Sequence, residues 1–92
     1  MSNEVRDNPS RNRFELALDG SIAFVTYRRQ PGAIDLLHAE VPPALEGRGH
    51  GSALVKGVLD LIRADGLKVH PRCPFVDVYM RRHREYDDLR AP

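Results

Sequence analysis

The strongest chemical signal in the sequence is a glycine-rich segment, Glu46 to Ser52, with the letters EGRGHGS. It stands between a β-rich run and a run with helical periodicity. The first N–H groups of a helix have no partner within the helix and bind anions, helped by the positive end of the helix dipole. Arg48 would add a charge-assisted contact to a phosphate. The segment therefore predicts an anion site; a flexible turn that needs positive φ at its glycines is the alternative.

Cys73 is the single cysteine and directly precedes Pro74, which suits the first position of a helix. A helix N-terminus favours the thiolate, and the neighbouring Arg72 and His70 would strengthen that effect. Cys73 is therefore a candidate nucleophile. A free cysteine is also often a small buried hydrophobe, so local chemistry leaves both interpretations open.

His38 and Glu40 are two residues apart on a predicted strand, so their side chains share one face. A histidine is well suited to take a proton from an amine near neutral pH, which makes His38 the first candidate base and Glu40 the second. The alternatives are a strand histidine satisfied by a neighbour and a plain surface carboxylate.

Other site chemistries are disfavoured by spacing and charge. His70 and Cys73 form the one close metal-type pair, so we expect no metal site. The basic run at 81–84 is followed at once by acidic residues, which favours a solvated helix face over a nucleic-acid contact. Fourteen Lys and Arg against thirteen Asp and Glu give a net charge of +1, too balanced for a nucleic-acid binder that relies on a strong basic field.

These candidate residues must be positioned by the elements around them. Residues 1–12 are polar and predict a mobile or loosely docked tail, followed by one domain over 13–92. Alternating apolar residues from Phe14, with turns at Asp19-Gly20 and Pro31-Gly32, predict three antiparallel strands, the last running from Ala33 to Val41.

The second half of the domain reads as helix, strand and helix. Apolar residues recur on one helical face and end before Gly66; they are Leu54, Val55, Val58, Leu59 and Ile62. Residues 67–69 then suit a fourth strand, parallel to the third, and a second helix begins near Pro74. The fold class is α+β, an antiparallel meander followed by a β-α-β unit and a C-terminal helix.

Length and composition limit the setting. Ninety-two residues with 41% hydrophobic side chains make one domain with one modest core. The apolar runs are far shorter than the roughly 20 residues needed to cross a bilayer, the start has no apolar signal-peptide core, and a lone cysteine excludes an intramolecular disulfide framework. We expect a cytoplasmic protein with no membrane contact.

Four blocks in order resemble the small, minimal members of the GNAT-type N-acetyltransferases. The blocks are RFEL at 13–16, HAEVP at 38–42 with the glycine segment after it, PRCPFV at 71–76 and HREY at 83–86. The superfamily's Gln/Arg-x-x-Gly-x-Gly/Ala pattern falls on residues 46–51. Here Glu46 departs from the usual first residue, and His50 stands where an aliphatic residue is common.

The resemblance implies an acetyl-CoA-dependent transfer of an acetyl group to an unidentified amine. It implies that the cofactor is held by eight residues: Val41, Glu46, Gly47, Arg48, Gly49, His50, Gly51 and Ser52. It also strengthens Cys73 as a catalytic residue, and it implies that Tyr79 protonates the leaving thiolate, although a core tyrosine is the alternative. The other hypothesis is a non-enzymatic acyl-CoA-binding module, or a subunit completed by a protein partner or a second copy.

Overall fold

A computed structural model describes residues 4–92, so the first three residues of the predicted tail lie outside the described part of the chain. The strands are β1 (Val5–Asn8), β2 (Arg13–Leu18), β3 (Ser21–Gln30), β4 (Ala33–Glu40) and β5 (Lys68–Pro71). The helices are α1 (His50–Ala64) and α2 (Pro74–Arg82), with 3-10 turns at Pro9–Arg11, Pro43–Leu45 and Arg84–Leu89. The strands form one sheet in the order β1-β2-β3-β4-β5.

The predicted meander is confirmed. β2, β3 and β4 pair antiparallel in sequence order, joined by tight turns at Gly20 and Gly32. Both glycines have positive φ, 72° and 73°, in the region that a side chain disfavours. The two turn dipeptides therefore determine where each hairpin reverses.

The predicted tail contains a strand, β1, that the sequence interpretation did not include. β1 pairs antiparallel with β2, with Val5 opposite Leu16 and Asn8 opposite Arg13. Val5 also packs against α1, where a Cβ added to Gly57 would lie only 2.3 Å from the Val5 Cγ2. The strand was missed because Val5 is the one apolar side chain in its four residues, too few to show a period.

The β-α-β unit is also confirmed. β4 and β5 pair in parallel, with Ile34 opposite Val69, and α1 connects them. The predicted apolar stripe of α1 is fully buried against the sheet and forms much of the core. Burying these side chains contributes about 1.5–3 kcal/mol each, so α1 is held in place chiefly by its apolar face.

A bulge in β4 determines which of its side chains face the core. His38 pairs with Thr26 and Leu36 pairs with Tyr27, so Leu37 has no counterpart on β3. Ile34 and Leu36 face the core before the bulge, and Ala39 and Val41 pack against it afterwards. The extra residue reverses the alternation, which places His38 and Glu40 on the opposite, outer face of the sheet.

The C-terminal segment fastens α1 to the end of the chain. The Tyr86 hydroxyl donates a hydrogen bond of 2.7 Å to Asp60, and Arg63 makes ion-pair contacts with Asp88 at 2.7 Å. Burial, followed by the hydrogen bond to Asp60, strongly raises the pKa of Tyr86. Among residues 4–92, no helix is long and apolar enough to span a membrane.

Candidate functional site

An open cavity of about 370 Å³ lies where β4 ends and α1 begins. One wall is the end of β4 and the loop after it, a second is the first turn of α1, and a third is Phe75 at the start of α2. The lining residues are Ala39, Val41, Leu45, Glu46, Gly47, Gly49, His50, Gly51, Ser52, Leu54 and Phe75. The mixture of apolar walls and backbone groups suits a ligand with both an apolar and a polar part.

The glycine segment gives the cavity its polar end. Gly47 and Gly49 both have φ of 80°, and within residues 4–92 no other group lies within 4 Å of a Cβ built on either. Gly49 is the N-cap of α1, and no side chain within residues 4–92 caps this helix end. The first helical hydrogen bond joins the Ala53 N–H to the Gly49 carbonyl, so the amides of residues 50–52 precede the helical ladder. These amides form a place for an anion.

Phe75 closes the cavity from the side of α2. A Cβ added to Gly51 would lie 2.8 Å from the Phe75 Cζ, so a glycine at 51 allows the ring to lie directly on the helix backbone. The ring is nevertheless 47% exposed. Phe75 therefore packs on Gly51 with one part of its ring and leaves the rest exposed to solvent and to the cavity.

The strand edge beside the cavity is open. β5 pairs only with residues Ala33 to Leu36 of β4, and the chain then turns away, with the Cys73 N–H donating to the Leu36 carbonyl at 2.9 Å. From Leu37 to Glu40, β4 has a neighbour only on its β3 side in the described sheet. An extended group from the cavity can therefore run along this edge.

Seven of the eight residues predicted to hold the cofactor line this cavity. The exception is Arg48, whose exposed side chain lies between the two positive-φ glycines. Sequence reasoning missed Ala39, Leu45, Leu54 and Phe75, because their contribution depends on how separate elements meet. Of these four residues, only Leu45 had a local feature that could have indicated a place in the lining, because it is an apolar residue inside the predicted loop.

His38 and Glu40 lie together but not in the cavity. The His38 Nε2 is 3.3 Å from the Glu40 Oε1, and the two side chains are 60% and 58% exposed. The Phe24 ring lies 6.4 Å from the His38 ring, edge to face. Their strand neighbours Ala39 and Val41 line the cavity from the other face. The His38–Glu40 pair therefore lies on the opposite face of β4 from the cavity, where it is accessible to an approaching molecule.

Cys73 and Tyr79 are buried and are not among the described residues that line the cavity. Cys73 is the N-cap of α2, 4% exposed, and belongs to the core cluster. Tyr79 is 8% exposed and stacks on His83 with ring centroids 3.9 Å apart. Burial raises the pKa of Tyr79, and the charged groups around it are Lys56, Asp60 and Glu85 rather than the glycine segment. Both placements match the packing alternative described for each residue.

Asp35 is a buried acid that sequence reasoning did not single out. It is fully buried, and its Oδ2 accepts hydrogen bonds from Arg28 at 2.9 Å and Gln30 at 2.7 Å, while its Oδ1 has no partner among the described residues. The hydrogen bond from Arg28 lowers the pKa of Asp35. An acid inside an apolar strand run was the available signal. Asp35 ties β3 to β4 just before the bulge.

Comparison with known proteins decides the family. A protein-family sequence model described as GCN5-related N-acetyl-transferase matches residues 13–89, which include most of the chain and all of the residues that line the cavity. The chain belongs to this family. The resemblance expected from the sequence is thereby confirmed.

Relatives and a solved structure agree with this membership. The chain is 32% identical to Protein NATD1 of Gallus gallus over 83 residues, 87% of this chain and 76% of that protein. It is 29% identical to Protein NATD1 of Xenopus tropicalis, over 86% of this chain and 75% of that protein. A GCN5-like candidate N-acetyltransferase from Staphylococcus aureus, solved by NMR, matches with a TM-score of 0.73 and 29% identity, covering 99% of this chain and 91% of that one.

Proposed function

We propose that this protein is an acetyl-CoA-dependent N-acetyltransferase acting on an amine. One observation carries the proposal: in a chain of the GCN5-related family, the glycine segment and the first turn of α1 form a cavity beside a strand edge that has no partner strand in the described sheet. The features of the cavity fit acyl-CoA. Free amides after Gly49 suit the pyrophosphate, and the edge of β4 with Ala39 and Val41 suits the pantetheine arm.

The acceptor amine would approach from the outer face of the sheet. There, His38 takes the proton that the amine must lose, and Glu40, whose Oε1 is 3.3 Å from the His38 Nε2, orients the imidazole. The amine nitrogen attacks the thioester carbonyl; a C–N bond forms, the C–S bond breaks, and CoA leaves as a thiolate that takes up a proton. Direct attack needs no covalent intermediate, which agrees with the burial of Cys73.

Turnover with acetyl-CoA tests this proposal. The protein is incubated with acetyl-CoA and a panel of amines, including protein acceptors, and released thiol is titrated. We expect release that depends on the amine and falls at least tenfold in His38→Gln. The matched control is His70→Gln, a histidine on β5 outside the cavity lining, which we expect to retain turnover. Equal loss in both variants would contradict a specific role for His38.

Cys73 is tested separately. If the thiol carried the acetyl group, Cys73→Ala would abolish turnover while CoA still bound, and an acetylated cysteine would appear by mass spectrometry. From the burial of the side chain we expect Cys73→Ala to retain turnover. Loss of turnover in a folded, CoA-binding Cys73→Ala variant would restore the nucleophile hypothesis.

A second candidate function is an acyl-CoA-binding module without catalysis, or a subunit completed by a partner. It is favoured by one observation: His38, Glu40, Cys73 and Tyr79 are all absent from the described lining of the cavity. Binding of CoA without thiol release from any amine, including acceptors in a cell lysate, would support this second function over the first.

A further inference from the structure

The cavity contains two side chains that change charge with pH. Glu46 and His50 are the titratable residues among those of the described chain that line it. The other lining side chains are apolar or hydroxyl groups, including Leu45 from the loop, Ala39 from β4 and Phe75 from α2. The nearest further charge on the loop is Arg48, exposed and outside the lining. Among the side chains that line the cavity, one carboxylate and one imidazole therefore set the charge of the polar end, with Arg48 on the same loop outside the lining.

His50 occupies the first position of α1, immediately after the N-cap Gly49. An anion held on the amides that follow Gly49 lies within the first turn, where an imidazolium at this position adds a full positive charge to the partial charge of the helix end. Histidine is the side chain whose charge ordinarily changes between pH 5 and 8. Its half-buried position keeps part of the interaction from being screened by solvent.

Glu46 acts in the opposite sense. It precedes Gly47 at the other end of the same loop and is the acidic side chain among the lining residues. A negative side chain in a site that takes a diphosphate weakens binding by repulsion.

We propose that His50 is a phosphate-binding residue whose protonation strengthens CoA binding, offsetting the repulsion from Glu46. This proposal rests on the proposed use of the cavity for acyl-CoA. It assigns a role to a particular side chain of the site and predicts that the protein binds the pyrophosphate of CoA more tightly in mildly acidic solution. A charge-assisted hydrogen bond gives a change of about tenfold in affinity.

Dephospho-CoA is the appropriate probe. The 3′-phosphate of CoA is a monoester that itself titrates near pH 6, which would mimic the effect, whereas the pyrophosphate stays ionised across the range. Binding of dephospho-CoA to the full chain is measured by calorimetry from pH 5.5 to 8.5, with circular dichroism confirming the fold at each pH. We expect the dissociation constant to fall by about tenfold from high to low pH.

Four variants separate the contributions. His50→Gln removes the titration, so its affinity should match that of the wild type at pH 8.5 and show no pH dependence. His50→Lys keeps a permanent charge and should bind tightly over the whole range. Glu46→Gln should bind more tightly at every pH with the slope retained. His70→Gln, outside the cavity lining, is the control that should behave as wild type.

The outcomes distinguish this proposal from the one on which it rests. Dephospho-CoA binding without pH dependence, or a slope that persists in His50→Gln, overturns the role of His50 and leaves the acyl-CoA site intact. No binding of CoA or dephospho-CoA at any pH overturns both. Loss of the slope in His50→Gln alone, with binding retained, supports both.

Discussion

Replacing Gly57 with alanine tests whether β1 is docked on α1. Gly57 is in the middle of α1, and its position opposite Val5 allows the strand and the helix to touch. An added Cβ would lie 2.3 Å from the Val5 Cγ2 and 2.8 Å from the Val5 Cβ. Both distances are well below the 3.5–4.0 Å or so at which carbon atoms pack. The Cβ of Val5 is fixed to the backbone, so a rotamer change alone cannot relieve the clash.

Two opposing contributions determine the size of the effect. Alanine in a helix interior is about 1 kcal/mol more favourable than glycine. Forcing a methyl group into a filled contact costs about 1–3 kcal/mol, or else β1 separates and loses its pairing with β2. We therefore expect Gly57→Ala to lower the free energy of unfolding by about 1 kcal/mol, because the steric cost of the added methyl group exceeds the gain from the higher helix propensity of alanine.

Urea unfolding followed by circular dichroism measures the effect in two backgrounds. In a Val5→Gly background the obstructing side chain is gone, so Gly57→Ala should stabilise the protein by up to about 1 kcal/mol. The two positions should thus show a coupling energy of about 1–2 kcal/mol in a double-mutant cycle. If Gly57→Ala stabilises the wild type as much as the Val5→Gly variant, β1 does not pack on α1 and the reasoning is refuted.

Two further predictions concern acid stability and the cavity wall. The hydrogen bond from Arg28 lowers the pKa of Asp35 in the folded state, so this carboxylate stabilises the fold above its unfolded pKa of about 4 and loses that contribution as the pH falls through the lower folded value. The Asp35→Asn variant should therefore be less stable than the wild type at pH 7 and should lose less stability on acidification. Urea unfolding at several pH values measures this, and the same pH dependence in variant and wild type would contradict it. Gly51→Ala should displace the half-exposed Phe75 ring, because the added methyl group would meet the ring, with little loss of stability. NMR chemical shifts of the Phe75 ring measure the displacement. Unchanged ring shifts would show that contact with Gly51 does not determine the position of the ring.

Much of the fold followed from local patterns in the sequence. The Asp19-Gly20 and Pro31-Gly32 turns determine the hairpins, and the apolar stripe of α1 determines its buried face. The glycine segment predicted most of the residues that line the cavity, because a helix N-terminus that follows a strand can be recognised from neighbouring residues in the chain. Each of these depends on residues near one another in the chain.

What the sequence did not predict depends on contacts between distant residues. β1 has too few apolar residues for a period, and its position depends on Gly57. The bulge at Leu37 has no turn residue to mark it, yet it sends His38 to the face opposite the cavity. Phe75 was interpreted as a packing residue, and only the approach of α2 to Gly51 makes it a cavity wall.

We propose above all that the glycine segment at the start of α1 binds the pyrophosphate of CoA. The most direct measurement is a titration of the ¹⁵N-labelled protein with CoA, followed by amide chemical shifts. We expect saturable shifts concentrated at residues 47–52 and along the β4 edge beside the cavity. Saturable binding with shifts confined to other parts of the chain, or no shifts at all, would contradict it.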